Sequence, residues 1–178
     1  LIDAARSAIG DGTPRLHSLL SAREALGHAR NGDRRAAVHA LAVSERLLDH
    51  ESTDGEPAWL WFWGDADLAC HQSRVALFLG DLAPAEAAAR TALSYADEAT
   101  YPRNHTLYSG RLGNVLARAG RLEESIAIMT PVVNRVQTFG SSRIRSDVRD
   151  TIQLLDHHQG YRPARQFTAW SRKVLAVA

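Results

Sequence analysis

Metal, acid–base or thiol chemistry in this chain would have to come from eight histidines, twenty carboxylates and one cysteine. His17, His28, His39 and His50 recur every eleven residues, a spacing that would align them along one unbroken helix. Gly32 falls inside that run and interrupts any such helix. His157 and His158 are adjacent, so their rings point to different sides of a helix, and no His-Glu-x-x-His or Cys/His cluster accompanies them. Asp65 with Asp67, or Asp147 with Asp150, could share a proton, yet acidic residues so placed usually cap a helix or pair with arginine. There is no Gly-x-Ser-x-Gly elbow, glycine-rich phosphate loop or Walker pattern. The residues therefore predict no catalytic group, no metal site and no cofactor, and the chemistry left to this chain is recognition.

Two features bear on recognition. Trp59, Trp61, Phe62 and Trp63 lie within five residues and cannot all point inward from one helix, because adjacent and alternate positions diverge around it. They either wedge between neighbouring helix pairs or leave an amphipathic anchor for a ligand, since Trp gives a large contact area at small entropic cost. Charge is the second feature. Residues 1–102 carry 9 basic and 15 acidic side chains, net −6, whereas residues 103–178 carry 12 basic and 5 acidic, net +7. Such a division is either a solvated arginine-rich surface or a pair of complementary ends for a partner or a second copy, which allows a homodimer. Arg143, Arg145 and Arg149 form a basic stripe, but neither half is basic enough to argue for nucleic-acid binding by itself.

Cys70 is the sole cysteine, so no intrachain disulfide can form and a reducing cytoplasm is the expected compartment. No run of eighteen apolar residues exists, and Asp3 and Arg6 interrupt the apolar start, so neither a signal peptide nor a membrane span is expected. Arginine occupies twenty positions and lysine only Lys173, a bias typical of GC-rich bacterial coding. Leu1, Ala4, Ala5, Ala8 and Ile9 read as the last turns of a helix, so the chain is expected to be a piece of a longer protein.

The elements that must position these residues follow from an internal repeat. Glycines at 32, 80, 120 and 160 each separate an apolar helical stretch from a second one, at intervals of 48, 40 and 40. Glycine suits such corners because a residue ending a helix often takes a left-handed conformation. Thr13-Pro14, Pro84, Ser142 and Pro163 supply helix starts. Apolar residues recur at helical spacing upstream (Leu16, Leu19, Leu26; Leu68, Val75, Leu79; Leu107, Leu112, Leu116; Ile144, Val148, Ile152, Leu155) and downstream (Val38, Leu41, Leu48; Ala85, Ala89, Ala92; Ile126, Met129, Val133; Phe167, Trp170, Val174). No alternating run predicts a strand. The spacing predicts an all-α single domain over 1–178. A helical remnant over 1–13 precedes four antiparallel hairpins at about 14–50, 57–98, 104–138 and 142–177, with second-pair helices at 57–80 and 82–98.

Leu79-Gly80-Asp81 with Ala85, and Leu112-Gly113 followed by Ala119-Gly120-Arg121-Leu122-Glu123-Glu124, resemble tetratricopeptide repeats. More narrowly, Glu56–Leu68 and Arg143–Asp150 look like the C-terminal repeat region of actinobacterial transcriptional regulators, in which a phage-repressor-type helix-turn-helix domain precedes the repeats. The resemblance implies a tetratricopeptide-like right-handed stack whose first helices line a concave groove for a peptide, protein or small-molecule signal. It implies contact with DNA only through a missing N-terminal domain. Aligning the corner glycines puts Asp67, His71 and Arg74, then Arg111, Asn114 and Arg118, then Asp147 and Asp150 on that groove, with Trp59 and Trp63 beside it. The function so implied is a regulatory interaction domain, or else a self-association adaptor.

Overall fold

The computed structural model describes Ala4, Ser7, residues 12–50 and residues 55–176. Among them the secondary structure is helical throughout, with no strand. The helices are α1 (Pro14–Arg30), α2 (Arg34–Leu48), α3 (Asp65–Phe78), α4 (Leu82–Ser94), α5 (Pro102–Arg118), α6 (Leu122–Phe139), α7 (Ser142–Asp156) and α8 (Arg162–Ala176), with a 3-10 turn at Ala58–Phe62. Apart from Ala4 and Ser7, both helical, the expected remnant over 1–13 lies largely outside the described residues. The chain divides into two compact units, Leu1–Tyr95 and Ala96–Ala178.

Three of the four glycine corners share one construction. Gly32, Gly80 and Gly120 take φ of +76°, +82° and +75°. In each, the residue after glycine donates its N–H to a carbonyl five positions back: Asp33 to His28, Asp81 to Ala76 and Arg121 to Leu116. This arrangement satisfies the end of one helix while reversing the chain into the next. The fourth corner differs. Gly160 has no positive φ, and α7 stops at Asp156 before an irregular turn in which Tyr161 N–H bonds the His158 carbonyl. The other left-handed glycine of unit 2 is Gly140, which ends α6 between two pairs.

In unit 1, α1 packs on α2, α3 on α4, and the pairs meet mainly through α1 and α3. Helices within a pair come close because small residues face each other. Ser18 and Ser44 each donate a hydroxyl to the other's carbonyl at 2.8 Å, and Ala25, Ala29, Ala37 and Ala40 fill the end nearer the corner. The two ends of this interface show that α1 and α2 run in opposite directions. A buried hydroxyl repeats the device elsewhere: Ser73 donates to the Ala85 carbonyl, and Ser125 of unit 2 to the Gly113 carbonyl. Cys70, on α3, is buried.

The aromatic block is not part of a helix running from 57 to 80; α3 begins at Asp65. Pro57 precedes a single 3-10 turn and Trp63 and Gly64 are extended. The Trp63 N–H closes the turn onto the Leu60 carbonyl, and Leu60 and Trp63 both point inward, at 0% and 1% exposure, onto Leu16, Leu19, Ala22 and Leu68. Trp63 Nε1 donates to Ser18 Oγ at 3.0 Å, and its ring meets His71 edge-on at 5.1 Å. Trp59, Trp61 and Phe62 are left outside.

In unit 2, α5 packs on α6 and α7, and α8 on α6 and α7. α5 is buried on nearly every side from Thr106 to Ala117. Gly113 makes room for Met129: a Cβ at this position would lie 2.5 Å from Met129 Cγ and Sδ, so that side chain would have to shift.

Candidate binding groove

The predicted site residues fall in both units, five in each. In unit 1, Trp59 is exposed and Trp63 belongs to the core. Asp67 and Arg74 are half-buried on α3. His71, expected on an open surface, is instead 3% exposed, with Nδ1 donating to the Asp67 carbonyl at 2.9 Å.

In unit 2 the expected groove residues largely bind one another. Arg111 Nη1 lies 2.8 Å from Asp147 Oδ1, and the two side chains are 12% and 2% exposed. Asn114, 1% exposed, donates from Nδ2 to Thr151 Oγ1 at 3.3 Å, and Thr151 donates to the Asp147 carbonyl. Arg118 is exposed but its Nε donates to Asn114 Oδ1 at 3.2 Å. Asp150 is half-buried on α7. Asn114 and Asp147 therefore join α5 to α7 instead of facing solvent. The physical reason is rotation: on a first helix, the face that meets the neighbouring first helix and the face left open differ by about one residue, some 100°. A Cβ at Gly110 would be in ordinary van der Waals contact with Asp147 Cβ, at 3.6 Å, so α5 and α7 pack closely at this level.

Unit 1 has an open recess elsewhere. Its floor is α3, at Val75, Ala76 and Leu79, and its walls are α2, at Val38 and Leu41, and α4, at Ala87 and Ala88; the volume is about 490 Å³. It exists because the pairs meet through α1 and α3, leaving the second helices α2 and α4 apart. Val38, expected in the core from its spacing, is 54% exposed on the wall. Each end carries a polar clasp. At one, Arg34 at the start of α2 donates to both Asp81 oxygens, at 2.5 and 3.0 Å, and to the Leu79 carbonyl. At the other, Gln72 Nε2 donates to Glu45 Oε1. The hydrogen bond from Arg34, then its charge, holds the Asp81 carboxyl below the usual carboxylate range, and the same bond pushes Arg34 upward. A ligand here would find apolar walls and fixed polar groups only at the ends, the usual composition of a small-molecule or side-chain pocket.

A smaller recess of about 300 Å³ lies between α1 and α2, where His28 and His39, two of the eleven-residue series, face the same space with Glu24. His28 Nε2 is 3.7 Å from Glu24 Oε1. Among the described residues no three or more His, Cys, Asp or Glu side chains converge as a metal site, and no helix is long and apolar enough to cross a membrane.

The wall residues were visible in the sequence only as helix-spaced apolar positions. Nothing in their types distinguishes Val38, which lines an opening, from Leu26, which lies in the core. Compared with known proteins, the chain matches no family model, no curated protein and no solved structure.

Proposed function

We propose that this chain is the regulatory interaction domain of a bacterial transcriptional regulator, a cytoplasmic tetratricopeptide-like right-handed stack that binds a signal without transforming it. The observation that carries the binding role is the apolar recess between α2 and α4, about 490 Å³ and open to solvent. The regulator reading rests on the likeness of Glu56–Leu68 and Arg143–Asp150 to repeat regions of such proteins. The docking place differs from the first-helix groove, because Asn114, Asp147 and His71 are buried. The occupant is a small amphipathic molecule or the apolar side chains of a peptide.

Regulation follows if the occupant prefers one spacing of α2 and α4, since a ligand shifts an equilibrium only by its unequal affinity for the two states. The Arg34–Asp81 clasp ties the two helix starts and sets that spacing.

A fluorescence titration with an anilinonaphthalene sulfonate dye, followed by competition with candidate signals, tests the binding role. Saturable binding abolished by Ala88→Phe, which fills the recess, is the expected result. Dye binding that ignores Ala88→Phe, or none at all, removes the support for the reading.

A further inference from the structure

Between Arg46 and Arg74 the chain has no arginine or lysine; among the described residues Asp49, Glu56, Asp65 and Asp67 fall there, Asp49 and Asp65 exposed and Glu56 paired with Arg15 at 3.3 Å. Within this acidic stretch Trp59 is 56% and Trp61 75% exposed, with Phe62 beside them; the Trp59 and Phe62 rings are 6.5 Å apart. The inner side of the 3-10 turn is already taken by Leu60 and Trp63, so these rings have no place in the core of unit 1. Exposed indole faces in a negative field attract guanidinium groups, through ring quadrupole and stacking as well as charge.

α8 has the converse composition. It carries Arg162, Arg165, Arg172 and Lys173 and no acidic residue. Its buried stripe is Ala164, Phe167, Thr168 and Ser171, so all four cations lie on the outer side and are exposed. Arg172 pairs with Asp156 and Arg165 donates to the Gln159 carbonyl. Arg162 and Lys173 make no ion pair or side-chain hydrogen bond among the described residues.

We propose that these surfaces are the two halves of a head-to-tail contact between copies of this chain, the acidic aromatic turn of one copy receiving the cationic side of α8 of the next. One occupant then answers both surfaces. Nucleic acid would neutralise α8 but leave the tryptophans exposed and be repelled by the acidic stretch. A basic peptide would cover the tryptophans and leave α8 as it is. The two halves are different surfaces, so the contact is heterologous and each copy keeps one half free, which leads to rings or open chains. Three rings and four cations make a small contact of the weakly associating class, and charge pairing at its exposed edge makes it sensitive to salt. Neither the recess between α2 and α4 nor a ligand in it takes part in this contact.

Sedimentation velocity of the full chain over a range of concentrations, at low and high sodium chloride, reads the association directly. Association is expected to grow with concentration and weaken in salt. Trp59→Ala with Trp61→Ala, and separately Arg162→Glu with Lys173→Glu, should each weaken it roughly 10- to 30-fold. These positions are exposed, and an unchanged far-ultraviolet circular dichroism spectrum verifies the fold; Trp61→Gln alone is the milder substitute if the double change disturbs it. The deciding arm mixes the two variants. Each retains the half the other lacks, so the mixture should form a dimer and stop there. A chain that stays monomeric at every concentration, including one whose α8 binds duplex DNA instead, overturns the proposal. So do variants that associate like the parent, or a mixture that forms nothing.

Discussion

Asp147 is 2% exposed and faces a guanidinium, so its environment decides what it is worth. Taking a carboxylate out of water is costly, and Arg111 at 2.8 Å offsets that cost only while both partners are present. Asp147→Ala is therefore expected to destabilise unit 2 by about 3–5 kcal/mol, as a buried guanidinium is left uncompensated. A urea-denaturation cycle with Arg111→Ala should show strong coupling; additive losses would refute the pairing. A change in signalling on Arg111→Ala would thus report a damaged interface between α5 and α7 before it reported a lost ligand contact. Trp63 offers a milder test. Trp63→Phe keeps much of the ring but removes the donor to Ser18 Oγ, and a loss of about 1–2 kcal/mol is expected in urea midpoints, part hydrogen bond and part volume.

At the scale of elements, the corners make a contrast that substitution can check. A side chain in the left-handed region costs about 1–2 kcal/mol, so Gly32→Ala, Gly80→Ala and Gly120→Ala should each lower stability by that much. Gly160→Ala, without a positive φ, should stay within about 0.5 kcal/mol. Equal effects at all four positions would contradict the difference in turn geometry. Gly113→Ala should cost about 1–3 kcal/mol by overpacking against Met129. The helices and three corners were legible because apolar spacing and glycine are local signals. The start of α3 at Asp65 is not legible, because Trp59 to Trp63 supplies an apolar run without revealing that only Leu60 and Trp63 share an inner face. Asn114 and Asp147 lie on the expected helices but on their packed side, not the open one. Which side of a helix stays open depends on how the neighbouring pair is rotated, and one helix's sequence does not encode that. The serine hydroxyls that tie paired helices are not legible for a related reason: Ser18 and Ser44 look like ordinary polar residues until their backbones are brought together.

Across the whole molecule, surface charge sets the response to pH. Asp81 is held below its ordinary pKa by the hydrogen bond from Arg34, Glu98 by that from Arg135, and Asp97 by the Thr100 N–H and hydroxyl. A carboxyl whose folded pKa is depressed contributes stability that is complete above its unfolded value and lost as pH falls through the folded one. Urea midpoints should therefore be flat on the acid side down to about pH 4 and fall below it. Asp81→Asn should lessen that fall, and an undiminished fall would show that Asp81 contributes little to it. Tyr161 has the opposite sign. Its hydroxyl donates to Glu123 and its pKa is raised, so that contribution holds below its unfolded value and is lost as pH climbs through the folded one. Finally, the chain has one thiol, Cys70, enclosed in unit 1 at 7% exposure. A disulfide reagent gains full access to that sulfur when the surrounding helices part, so the yield of coloured leaving group over time is a stopwatch for breathing motions in this half of the protein, with no label or engineered residue added.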